Sequence, residues 1–145
     1  MKRNVCSVAI VVLSCFLLPG CGDGRPPRVP VSGRVMIDGR PVTSGAIRFI
    51  PTGGRPATGE IDPEGRFSLS TFDPGDGCTL GTHTVIVQSM DEIDGKTRRW
   101  NTPKKYASEK TSKLVESVTE ATDSIQLQLT WGDETGPIFE RIYGE

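Results

Sequence analysis

A hydrophobic alternation with a period of two constrains this chain more than any other feature. Val31, Gly33, Val35 and Ile37 alternate with Ser32, Arg34 and Met36; Ile125, Leu127, Leu129 and Trp131 alternate with Gln126, Gln128 and Thr130. Successive side chains of a strand point to opposite faces, so this spacing puts one face on a core and the other in water. Shorter versions recur at Ile47 and Phe49 around Arg48, at Phe67 and Leu69 around Ser68, and at Val85 and Val87. A further strand is expected over 57–61. Turn residues separate the runs: Asp38-Gly39, Pro51, Asp62-Pro63-Glu64-Gly65 and Gly81. Short strands with such punctuation predict an all-β antiparallel sandwich of about seven strands. No long stretch carries helical spacing, and only a short turn of helix is expected within 104–110.

The start of the chain is built differently. Met1-Lys2-Arg3-Asn4 is basic, and Val5 to Leu18 is apolar except for Ser7 and Ser14. That is the length of the apolar region of an export signal, and it falls short of the roughly 20 apolar residues of a membrane-spanning helix. The run ends in Leu18-Pro19-Gly20-Cys21. These four residues resemble the lipobox of a bacterial lipoprotein. The resemblance implies a diacylglycerol group on the Cys21 thiol and cleavage before Cys21 by a signal peptidase that recognises Leu18, Pro19 and Gly20. An ordinary signal peptide and an uncleaved anchor are the alternatives. The expected organisation is a signal peptide over 1–20, lipidated Cys21 and a Gly/Pro/Arg-rich tether over 21–28, a sandwich domain over 29–131 and a tail over 132–145. Such a protein is exported and anchored to a bacterial membrane, with its domain in the periplasm or outside the cell.

The domain itself resembles a known family. The residues are Gly33-x-Val35, Gly39-Arg40-Pro41-Val42, Gly45-Ala46-Ile47-x-Phe49, Asp62-x-x-Gly65-Arg66-Phe67-Ser68-Leu69 and Gly81-x-His83-x-Val85-x-Val87. Together they are similar to the carboxypeptidase regulatory-like domain over about 29–88, with a looser fit to Trp131. The resemblance implies a transthyretin-like (prealbumin-like) sandwich, and Lys105-Tyr106-Ala107 matches small lipoproteins that carry only this domain. His83 stands where that family usually has an aromatic residue, and Ile61 where it often has Thr. The matching residues are turn glycines, a turn proline and core side chains. The resemblance therefore transfers a fold and no catalytic residue.

Composition narrows the function classes. The chain has 17 Lys+Arg, 18 Asp+Glu and one His. Without Lys2 and Arg3 the remaining 15 cations face 18 anions, a net charge of −3, which is no footprint for nucleic acid. Of the four cysteines, Cys6 and Cys15 belong to the leader and Cys21 to the lipid anchor. Cys78 is left as an unpaired, partly buried loop thiol, or else as an intermolecular disulfide partner or reactive thiol. A single histidine supplies neither a Cys-His nucleophile nor a His-rich zinc set, so no metal, cofactor or catalytic residue is expected. His83 is read as a half-buried or surface strand residue. Asp91-Glu92-x-Asp94-Gly95 and Asp73-Pro74-Gly75-Asp76-Gly77 look like calcium-binding loops, but the first lacks the spacing and distal Glu of an EF-hand, and both read as solvated hairpins instead.

Charge layout supplies the remaining candidate. Lys96, Arg98, Arg99, Lys104, Lys105, Lys110 and Lys113 precede an acidic end with Glu116, Glu120, Asp123, Asp133, Glu134, Glu140 and Glu145. Arg98, Arg99, Trp100, Lys104, Lys105 and Tyr106 form the expected ligand or partner contact, for anionic headgroups, an anionic glycan or an acidic protein. The tail residues Ile138, Phe139, Ile142 and Tyr143 either pack back on the sandwich or bind a partner. The overall expectation is a non-catalytic binding or scaffolding module of the cell envelope that meets an envelope protein or a glycan. The alternative is a carbohydrate-binding module with Trp100, Tyr106 and Trp131 as stacking residues.

Overall fold

The computed structural model describes residues 24–142. The lipobox, Cys21 and Tyr143 lie outside them. The described chain is an all-β sandwich. Its strands are β1 (Arg28–Val29), β2 (Val31–Ile37), β3 (Arg40–Pro41), β4 (Ala46–Pro51), β5 (Ala57–Glu60), β6 (Arg66–Ser68), β7 (Cys78–Thr79) and β8 (Gly81–Gln88). They continue with β9 (Met90–Glu92), β10 (Thr97–Trp100), β11 (Leu114–Val118), β12 (Thr122–Leu129) and β13 (Ile138–Arg141). One 3₁₀ turn, Lys104–Ala107, falls within the expected 104–110 window.

One layer has the order β11-β8-β4-β5 and is antiparallel throughout. The other is built on β2, flanked by β12 on one side and by β3 and β6 on the other. The long strands keep the boundaries that alternation dictates. β2 stops at Ile37 because Asp38 and Gly39, with φ of 44° and 79°, make the two-residue turn that pairs Ile37 with Arg40. Val31, Val35, Ile47, Phe49, Phe67, Leu69, Val85, Val87, Leu127 and Leu129 meet in one buried core contributed by both layers. Each large side chain fully withdrawn from water there contributes about 1.5–3 kcal/mol.

Several expectations are corrected. The sandwich is antiparallel as expected except for the β2–β12 pair, which is parallel and joins Gly33 to Ile125 and Ile37 to Leu129. The described residues form thirteen strands, because short pairs such as β1–β7 add to the longer strands of the expected sandwich. β12 ends at Leu129, so Trp131 lies beyond it. The folded unit also exceeds 29–131 at both ends. Arg25 is bonded to Asp73 and Arg28 begins β1, while 138–141 form β13, paired with β10. β9, β10 and β13 make a third, small sheet.

The topology gives the sandwich two poles. The entry pole gathers the start of the described chain, the β1–β7 pair and the beginning of β12, where Thr122 N–H donates to the Pro30 carbonyl at 3.0 Å. β2 and β12 run together to the far pole. There Asp38 N–H donates to the Leu129 carbonyl, and the Asp38 carboxylate accepts from Trp131 N–H at 3.3 Å. The length of β2 separates the poles by about 20 Å.

Candidate functional site

The six residues of the basic stretch lie on β10 and the 3₁₀ turn, and the acidic end of the chain folds onto them. Antiparallel register sets Arg98 opposite Glu140 of β13 and opposite Glu92 of β9. Glu140 accepts from Trp100 Nε1 at 3.0 Å and pairs with Lys104 Nζ at 2.7 Å. Lys104, with Trp100 and Arg98 adding to it, holds the Glu140 carboxyl below its usual range. Arg99 pairs with Asp91 at 2.6 Å, and Asn101 donates to the same oxygen at 2.9 Å. Lys104 and Lys105 lie over the Trp100 and Tyr106 rings at 5.4 and 5.0 Å from the ring centres. Charges that look open in one dimension are thus partly neutralised across the sheet.

Both expected stacking residues of this stretch are buried. Trp100 is 9 % exposed and Tyr106 is 8 % exposed, and Tyr106 packs into the core. The Tyr106 hydroxyl is within 3.4 Å of the Thr130 carbonyl. Neither ring offers a free face of the size that a sugar needs. Trp131, by contrast, is half-buried at the rim of an open cleft of about 460 Å³ at the far pole. Lys104, Lys105, Asp133, Glu134 and Ile138 line the rest of it. Gly136 lies so close to the indole that a β-carbon there would collide with the six-membered ring. The cleft combines a flat aromatic with both signs of charge, which suits a polar ligand with an apolar face.

The loop carboxylates are occupied locally. Asp76 accepts backbone N–H groups of Thr71, Phe72 and Asp73 at 2.7–3.1 Å, and pairs with Arg28 Nε at 2.7 Å. Burial opposes ionisation of Asp76, but those donors and Arg28 together hold its carboxyl below the ordinary value. Asp94 caps its own turn through Lys96 N–H and Thr97 Oγ1. Among the described residues no three His, Cys, Asp or Glu side chains converge as metal ligands would.

The two candidate nucleophilic or titratable groups lie inside. His83 is 1 % exposed, against the half-buried or surface position expected for it. Its ring packs on Phe49 with centres 5.8 Å apart, filling the space of an aromatic side chain. Nδ1 lies 3.0 Å from the Gly81 carbonyl and Nε2 lies 3.4 Å from Thr79 Oγ1. Burial lowers its pKa, the Gly81 contact opposing. Cys78 belongs to β7 rather than a loop, is 1 % exposed, and burial pushes its thiol up to about 11. A thiol so placed is a packing group, because nucleophilic attack needs the thiolate and access.

A second cluster involves residues absent from the expected site. The guanidinium carbons of Arg25, Arg28 and Arg55 lie 4.8, 4.9 and 5.1 Å from the centre of the Phe72 ring. They come from the chain start, from β1 and from the β4–β5 loop, so no local window of sequence signals their convergence. No known protein family, curated protein or solved structure gives a significant match to this chain.

Proposed function

We propose that this protein is a lipid-anchored lipoprotein of a bacterial cell envelope whose sandwich is a non-catalytic binding or scaffolding module. The observation that carries the reading is the polarity of the fold set against the leader. The lipobox-like Leu18-Pro19-Gly20-Cys21 closes four residues before Arg25, which is already bonded to the domain at the entry pole. An anchor at Cys21 would tie that pole to the lipid and turn the Trp131 cleft and the β9–β10–β13 sheet outward. The resemblance of 29–88 to the carboxypeptidase regulatory-like domain, whose matching residues are structural, supports a module without chemistry of its own. So does the interior position of Cys78 and His83. A second reading, carbohydrate binding, is favoured by one observation, the half-buried Trp131 over the far-pole cleft.

In-cell cross-linking of the tagged full chain, followed by mass spectrometry, tests both readings. One protein recovered in near-stoichiometric yield is the expected result and makes the chain a subunit or adaptor. Glycan recovered instead, and lost in Trp131→Ala, selects the second reading. In parallel, Cys21→Ala is expected to leave the membrane fraction; its retention there at the wild-type level overturns the anchor.

A further inference from the structure

We infer that Phe72 and the three arginines around it form a contact surface for anionic phospholipid headgroups, which leans one edge of the domain on the membrane. The inference rests on the lipid anchor proposed at Cys21. A chain spans at most about 3.6 Å per residue, so the four residues from Cys21 hold the Arg25 Cα within about 14 Å of the Cys21 Cα. Arg25, Arg28 and Arg55 converge on one ring at 4.8–5.1 Å, whereas Trp100 and Tyr106 each carry one cation. Arg25 is paired with the exposed Asp73 at 2.8 Å and Arg28 with Asp76 at 2.7 Å. Arg55 is exposed and makes no ion pair with any described residue. Its guanidinium lies over the ring, and on this exposed residue its fork of N–H donors can meet phosphate. Leu80, one residue beyond the Arg28–Thr79 pair, is 50 % exposed and adds an apolar group at the same end.

The same pole carries Glu120, in the turn between β11 and β12, and Asp123, near the start of β12. Glu120 follows β11 at one edge of its layer, whereas Arg55 precedes β5 at the other edge, and Asp123 lies in the facing layer. Three strand spacings, about 14 Å, separate these edges. That exceeds the Debye length of about 8 Å at physiological salt, so Glu120 does not cancel the arginine edge. An anionic surface attracts the latter and repels the former, and the domain tilts.

The test is arginine footprinting with phenylglyoxal on the full, cell-processed protein. The protein is reconstituted into phosphatidylcholine vesicles with and without phosphatidylglycerol. Modification of Arg55 is expected to slow about 5-fold on the anionic vesicles. Arg40, exposed at the far pole, is expected to keep its rate. Arg55→Glu, in an exposed loop, is expected to abolish the protection of Arg25 on anionic vesicles. The mass of the N-terminal peptide in the same sample reports acylation. An acylated Cys21 with Arg55 equally reactive on both vesicles overturns this inference alone, as does equal slowing at Arg40. An unmodified Cys21 overturns the anchor and this inference with it.

Discussion

His83 ties a break in an apolar strand pattern to a measurable pH dependence. Its ring takes an aromatic position against Phe49, yet it can be protonated and Phe cannot. Burial lowers its pKa below the ordinary 6.5. The unfolded chain therefore binds more protons than the folded one as pH falls through 6.5, and stability falls with it. Glu116, the register partner of His83 on β11, works in the opposite sense. Burial raises its pKa above 4.5, so its contribution is lost as pH rises. His83→Phe keeps the ring and forfeits the contacts to Gly81 and Thr79, at a cost of about 1 kcal/mol at neutral pH. Denaturant melts from about pH 5 to pH 7 are expected to show a flatter stability profile for the variant than for the wild type. Parallel profiles would mean that His83 does not titrate in this range. The position was legible in the chain as a break in an apolar pattern, but its burial was not. A lone histidine on a strand carries no sign of which face it takes until the partner Phe49 is in place.

Gly33 and Gly136 show how single missing β-carbons decide which elements meet. A β-carbon on Gly33 would collide with the Ile125 backbone, so the parallel β2–β12 pair depends on its absence. Gly136 does the same for the tail, where Trp131 would be struck. Gly136→Ala is expected to displace the indole or lift β13, costing about 1–3 kcal/mol as overpacking does. A red-shifted tryptophan emission together with a lower melting temperature checks this; an unchanged spectrum and melt would place the tail elsewhere. The elements that were legible are those with strong local signals. β2 and β4 have apolar alternation closed by Asp38-Gly39 and by Pro51. Those missed have none. Residues 91–95 read as a solvated hairpin, and Met90-Asp91-Glu92 does pair with Thr97-Arg98-Arg99-Trp100, but nothing local signals that β13 would join them. Pairing between segments 40 residues apart, such as Trp100 Nε1 with Glu140, is a property of the fold and leaves no local trace.

The sandwich is unevenly held together, and this bears on the candidate sites at its two ends. Its centre, β2, β4 and β8, contributes Val35, Ile47, Phe49, Val85 and Val87, all 0 % exposed. The small β9–β10–β13 sheet is anchored differently. Trp100 is buried, but Phe139 is 62 % and Ile93 is 52 % exposed, and the sheet's charged contacts sit where water screens them. The sequence made the basic stretch conspicuous and the acidic end conspicuous, yet it could not tell that they would meet in this sheet, nor that Arg55 would reach Phe72. Regions with few buried apolar contacts open at lower free energy than the whole molecule. Native-state hydrogen exchange is therefore expected to release the amides of β10 and β13 first and those of β2, β4 and β8 last. In Lys104→Ala the gap should widen, because Glu140 loses one of its two partners and keeps only the Trp100 indole. Exchange of β13 at the rate of the central strands would show instead that the far pole opens only by global unfolding. A partner or ligand at the Trp131 cleft would then meet a rigid surface. With early opening, it would meet a strand that orders further on contact, at an affinity reduced by the free energy of closing it.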